Sequence, residues 1–149
     1  MTKTGLKIAM GADHAGYHLK EKLKSYLISK GYEVTDYGTH SDQSSDYADF
    51  AHPVAETISS AGHDLGLVMC GSGNGVNMTV NKHPAIRSAL CWTAELARLA
   101  RAHNDANVLA LPARFISEET ALEIVRVFLS TDFDGGRHCQ RIAKIPRSK

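Results

Sequence analysis

Short apolar runs alternate along this chain with longer stretches of helical periodicity, and few architectures accommodate that rhythm. Residues 6–12 (LKIAMGA), 65–70 (LGLVMC), 86–92 and 107–111 are apolar at most positions, the pattern of strands covered on both faces. Residues 32–37 alternate in the ordinary way and complete a set of five strands. Residues 16–30 space Leu19, Leu23, Tyr26 and Leu27 at helical intervals and end at Gly31, as an amphipathic helix with a glycine stop does. Further helices are predicted over 49–61, from the glycine-rich turn 71–75 to about residue 82, over 93–102, and over 117–130, where Ser117 offers an N-cap and Glu119 an acidic first turn. Buried strands separated by helices of roughly ten to fifteen residues demand a parallel sheet with helices on both sides, and right-handed crossovers make it a doubly wound α/β fold. The commonest order for five such strands, 2-1-3-4-5, puts a switch point between the first and third, where ligands bind beyond the carboxyl ends.

Composition narrows the function. A chain of 149 residues is expected to form one domain, 1–149. Seventeen Lys plus Arg against sixteen Asp plus Glu leave a formal charge of +1, too little field to hold a phosphate backbone, so no nucleic-acid partner is expected. No apolar run approaches the ~20 residues of a membrane span, and no leader is expected, since residues 1–7 carry no long apolar stretch before the first strand. Three widely spaced cysteines, Cys70, Cys91 and Cys139, fit reduced thiols of the cytosol better than a disulfide framework.

Residues of chemical character fall at the carboxyl ends of the predicted strands. Asp13 and His14 follow the first, Cys70-Gly71-Ser72-Gly73 the third, and Arg114 the fifth. Cys70 carries two readings. It ends an apolar strand, where a thiol is usually packing, and it stands where a glycine-rich turn opens a helix, where N–H groups and the dipole favour a thiolate. Cys91 reads as packing and Cys139 as a tail residue. The turn Gly71-Ser72-Gly73-Asn74-Gly75 is not a dinucleotide fingerprint, because Val76 holds the place of the last glycine, and it lacks the Gly-Lys of a Walker loop. Nor does it match a Cys-dependent phosphatase loop, since Val76 stands where that loop needs an Arg. It remains a small turn of N–H donors suited to an anion or oxyanion.

His14 and His18 are four apart, but Ala15 follows His14 and no other Cys or His spacing suggests a metal. His103 and Asn104 end a helix, where a dipole-complementing His and a capping Asn are sufficient explanations. Arg137 and Arg141 lie one helical turn apart after two glycines. On a helix they would share a face able to grip a phosphate dianion; otherwise they belong to a solvated basic tail over 137–149.

In sequence order, Gly11-Ala-Asp-His-Ala-Gly16, Cys70-Gly-Ser-Gly-Asn-Gly75, Asn81-Lys82, His103-Asn-Asp-Ala-Asn-Val108 and Gly135-Gly-Arg-His138 with Arg141 resemble the type B ribose-5-phosphate isomerases, a family that includes the galactose-6-phosphate isomerase subunits. The resemblance runs from about residue 7 to about 142. It implies a Rossmann-like three-layer sandwich with a five-stranded parallel sheet. It implies an aldose–ketose isomerase that interconverts ribose 5-phosphate and ribulose 5-phosphate without metal or organic cofactor. It further implies a homodimer, in some members paired into tetramers, whose active sites are shared between subunits. Position by position, Cys70 would be the base that moves a proton between C2 and C1. Asp13 and His103 would serve ring opening, with Asn104 at the sugar hydroxyls. His14, Arg114, Arg137 and Arg141 would hold the phosphate. Ser72 and the amides of Gly71, Gly73, Asn74 and Gly75 would surround the enediolate oxygen, with Tyr47 at the substrate. Related branches place a Glu base near position 75; the Gly75 found here directs the role to Cys70. Two other functions remain open: isomerisation of a six-carbon sugar phosphate such as allose 6-phosphate or galactose 6-phosphate, and non-catalytic sensing of a sugar phosphate.

Overall fold

A computed structural model describes residues 5–147. The strands are β1 (Lys7–Ala12), β2 (Glu33–Asp36), β3 (Leu65–Cys70), β4 (Ser88–Leu90) and β5 (Val108–Pro112). The helices are α1 (Tyr17–Ser29), α2 (Tyr47–Ser59), α3 (Asn74–Val80), α4 (Ala94–Asn104), α5 (Glu118–Ser130) and the short α6 (His138–Ile142). Every strand pair is parallel, and the sheet order is β2-β1-β3-β5-β4. The expected switch point between β1 and β3 is present, but the expected order of the last two strands is reversed. Burial accounts for the reversal. β5 is buried along its whole length, whereas the three residues of β4 are all half-buried, so the longer apolar strand takes the inner position and the short one the edge.

Side-chain alternation divides the core into two layers. Ile8, Met10, Leu65, Leu67, Met69, Leu109 and Leu111 pack with α1, α4 and α5 through residues such as Leu23, Leu27, Ala97, Ile124 and Phe128. Ala9, Val68, Cys70, Val108 and Ala110 face the opposite layer, built from Ala51, Val54 and Ala55 of α2 and Val76 and Val80 of α3. The parity of β3 therefore aims the Cys70 side chain toward α2 and α3, the helices that border the switch point.

α4 and α5 start on the caps that their sequences offer. Thr93 accepts from the Leu96 N–H at 3.2 Å and Ser117 from the Thr120 N–H at 3.1 Å. A charged network anchors α1 to the end of β2. Lys20, with no exposed surface, donates to Asp36 at 2.5 Å and Glu21 at 2.8 Å, and Lys24 joins Asp36 at 2.9 Å. The loop after β2 then runs beside the end of β1, with Ala12 N–H to the Gly38 carbonyl at 2.8 Å and Thr39 N–H to the Ala12 carbonyl at 2.6 Å. This holds the segment that leads into Asp13 and His14. Among the described residues no helix is long and apolar enough to cross a membrane.

Candidate active site

The carboxyl ends of β1, β3 and β5 open into a cleft of about 530 Å³ lined by Asp13, His14, Tyr47, Cys70, Gly71, Ser72, Asn74, Gly75 and Arg114, with Ala15, Met78 and Phe115. The predicted residues on this rim thus share one cavity. Gly73, at φ +77°, closes the turn where a Cβ would lie 2.5 Å from Leu90 and 3.1 Å from the Leu111 carbonyl carbon. Gly75 has a different task. A Cβ there would lie 2.6 Å from the Tyr47 ring, so the ring occupies space that any side chain at 75 would contest.

Asp13 is 6% exposed, and its Oδ1 accepts from the Ala15 N–H at 3.0 Å and the Gly16 N–H at 3.2 Å. One carboxylate oxygen is thereby committed to the turn into α1. His14 and Ser45 fasten each other: His14 N–H donates to the Ser45 hydroxyl at 3.1 Å, and His14 Nδ1 accepts from the Ser45 N–H at 3.2 Å. With Nδ1 an acceptor, the neutral ring carries its proton on Nε2, a donor for an anion. His14 precedes α1 rather than lying on it, and exposed His18 is 3.8 Å from Asp42, so the two histidines form no helical metal pair. The Ser72 hydroxyl accepts from the Asn74 N–H at 3.2 Å. Arg114, fixed by its N–H to the Gly71 carbonyl at 3.0 Å, lays its side chain over Gly71. Burial pushes the thiol of Cys91 up to about 12, which leaves it the inert packing residue expected.

The remaining predicted residues lie elsewhere. α4 runs back across the sheet, so His103 and Asn104 reach the amino-terminal rim, a strand length of roughly 20 Å from Cys70. The tail joins them there. Asp134 N–H donates to the Ala102 carbonyl at 2.9 Å, and the rings of His103 and His138 stack at 4.4 Å with 13° between planes. Arg137 and Arg141 bracket this contact, at the start and in the last turn of α6. Partial loss of hydration, then the charges of His103, Arg137 and Arg141, hold the His138 pKa below the usual histidine range. Within one chain the expected site residues therefore fall into two groups on opposite rims.

Sequence reading assigned no role to His138, Met78 or Phe115. The neighbour position beside Arg137 was the available signal for the first; the others look like ordinary apolar residues. Folding brings together a group that sequence spacing does not reveal: ligand atoms of His103, Asp134 and His138 lie within 4.8 Å of one another. The stacked, parallel imidazoles send their in-plane lone pairs side by side rather than to one point, a poor geometry for ligating one shared metal ion.

A doubly wound α/β domain that gathers a thiol, an imidazole and a guanidinium in one cleft at its carboxyl rim has the layout of an enzyme site for a small ligand. Residues 8–145 match the family model described as Ribose/Galactose Isomerase. Ribose-5-phosphate isomerase B of Escherichia coli K12 is 40% identical over 139 residues, 93% of each chain. Among solved structures, a ribose 5-phosphate isomerase of Thermotoga maritima is 52% identical with a TM-score of 0.93, covering 95% of this chain and 97% of its own. Ribose-5-phosphate isomerase B of Mycoplasma genitalium, solved with bound ribulose-5-phosphate, is 40% identical with a TM-score of 0.90, covering 95% of both chains. The chain belongs to the ribose/galactose isomerase family and is an aldose–ketose isomerase.

Proposed function

We propose that this isomerase interconverts ribose 5-phosphate and ribulose 5-phosphate in the cytosol, as a homodimer whose sites join the carboxyl-rim cleft of one subunit to the amino-rim group of the other. The observation that carries the reading is the composition of the cleft: Cys70 stands in it beside Asp13, His14, Ser72 and Arg114. An enediol isomerisation needs one base on one face of the sugar and donors for the oxyanion.

Ring opening moves the proton of the anomeric hydroxyl to a base and returns a proton to the ring oxygen; Asp13, through its uncommitted oxygen, and His103 take these parts. The Cys70 thiolate then removes the C2 proton of the open aldose. The resulting enediolate is met by the Ser72 hydroxyl and the amides of the 71–75 turn. Cys70 returns its proton to C1, and a second proton passes from O2 to O1, leaving the ketose. His14 Nε2–H, Arg114, Arg137 and Arg141 hold the phosphate, far from the reacting carbons, so its binding energy serves to position them. No step calls for a metal or organic cofactor.

The test is turnover of ribose 5-phosphate by purified protein in excess EDTA, with kcat/KM compared on allose 6-phosphate and galactose 6-phosphate. Activity that survives the chelator and favours the five-carbon sugar is expected. A preference for a six-carbon phosphate would move the substrate within the family, and tight binding without turnover would make the chain a sensor.

A further inference from the structure

The end of α4 is held more firmly than a helix end requires. Asp105 stands in the left-handed region at φ 45°, ψ 45°, where a residue with a side chain is strained, and the Ala106 N–H returns to the Ala100 carbonyl at 3.0 Å. Two guanidiniums take the carbonyls left over. Arg87, directly before β4, donates from Nε to the Asn104 carbonyl at 2.9 Å and from Nη2 to the Asp105 carbonyl at 3.0 Å. Arg101 donates from Nη1 to the Ala106 carbonyl and to the Asp105 carboxylate, the latter at 3.3 Å. The same carboxylate is 3.5 Å from Arg87. Arg87 is itself fastened, its N–H donating to the Asn107 side chain at 2.8 Å and its carbonyl accepting from the Asn107 N–H at 3.0 Å. A left-handed cap needs none of this. Three consecutive carbonyls, of Asn104, Asp105 and Ala106, held by Arg87 and Arg101, fix the last turn of α4, which carries His103 and Asn104.

We propose that Arg87 is a positioning residue for the isomerisation, acting through the Asn104 and Asp105 carbonyls to aim His103 and Asn104 at the sugar. This rests on the reading of those two residues as sugar contacts. The geometry requires arginine: two N–H groups of one rigid fork meet two adjacent carbonyls, which the single point charge of a lysine does not reproduce. Arg87 is also the informative arm of the clamp. Arg101 lies against the Phe128 ring at 5.5 Å, so its loss disturbs the α4–α5 layer, whereas Arg87 is 26% exposed and can be shortened without opening the core.

The experiment compares Arg87→Ala and Arg87→Lys with wild type in the full chain. It measures melting temperature, kcat and KM on ribose 5-phosphate, inhibition by inorganic phosphate, and the NMR titration of each histidine ring. In both variants kcat should fall roughly tenfold to a hundredfold, the range a small misplacement of a contacting group produces. Phosphate inhibition should stay within about twofold, since the phosphate-holding side chains are untouched. Added guanidinium ion should restore part of the Arg87→Ala turnover, and the His103 titration should move while that of His14 does not. An unchanged kcat with an unmoved His103 titration overturns the proposal. So does a loss of kcat that follows a loss of folded protein and resists guanidinium. Should wild type turn over no sugar phosphate, the isomerase reading falls by itself; the His103 titration then decides the clamp, a displaced curve supporting it and an unmoved one overturning it.

Discussion

Cys70 contributes little that its neighbours could not supply for stability. It is 5% exposed at the end of β3, within a layer of Val68, Val76, Val80 and Ala110. Replacing it by Ala removes one small buried atom and should cost about 1 kcal/mol of unfolding free energy. The same change removes the proposed base, so kcat on ribose 5-phosphate should fall about 100- to 10,000-fold, the usual worth of a general base, while calorimetry still finds the sugar phosphate bound. Retained turnover would remove Cys70 from the chemistry. Arg137→Ala should act in the other coordinate and mainly raise KM, each lost charge-assisted bond costing about 1.5–3 kcal/mol; an unchanged KM would return the tail to a solvated surface. Both side chains were visible in the sequence because their types are chemically unusual where they stand. Met78 and Phe115 were not, since an apolar residue has no signature for lining a cleft. His138 went unassigned because its stacking on His103 is made by folding alone.

Elements were legible in proportion to how locally they are determined. β3 was read to the residue, and Ser117 caps α5 as predicted, because apolar runs and caps are decided within a few positions. The exchange of β4 and β5 depends on which strand competes better for the interior, a comparison across the sheet that periodicity does not contain. The ion network between α1 and β2 was equally invisible, for Lys20 and Asp36 are ordinary surface residue types that topology buries. Burial alone would raise the Asp36 pKa; the bonds from the Lys20 and Lys24 ammoniums and from the Gly38 N–H outweigh it and bring the carboxyl down to about 2. Its folded pKa lies below the unfolded value, so this contribution is complete above about pH 4 and is lost as pH falls through about 2, amounting to about 2 kcal/mol. Urea unfolding measured from pH 6 downward should show that fall in wild type. In Asp36→Asn the slope should be shallower, and stability at pH 6 lower by about 1–3 kcal/mol, because buried Lys20 keeps only Glu21 as a charged partner. Equal slopes for the two proteins would show that the network carries no acid sensitivity.

At the scale of the molecule the governing feature is that the proposed site residues fall on opposite rims of the sheet. Cys70 and Asp13 stand on one rim of the sheet, and His103, Arg137 and Arg141 stand with α4 and α6 on the other, so no single chain can set both groups on one small sugar phosphate. Exposed Tyr47, Met78, Trp92 and Phe115 lie in or beside the cleft, an apolar margin of the kind a second subunit covers. In a two-fold dimer each cleft would receive the amino-rim group of its partner. Mixing two defective proteins tests this directly. Cys70→Ala lacks the base, and the double variant Arg137→Ala, Arg141→Ala lacks the tail clamp, so each alone should be nearly inactive at low substrate. Co-expressed in equal amounts, they form mixed dimers in which one site carries both defects and the other carries neither. Random pairing makes half the dimers mixed, so turnover should recover to about a quarter of wild type. If base and clamp instead served the same substrate from one chain, every site in the mixture would keep one defect, and activity would not rise above the average of the two parents.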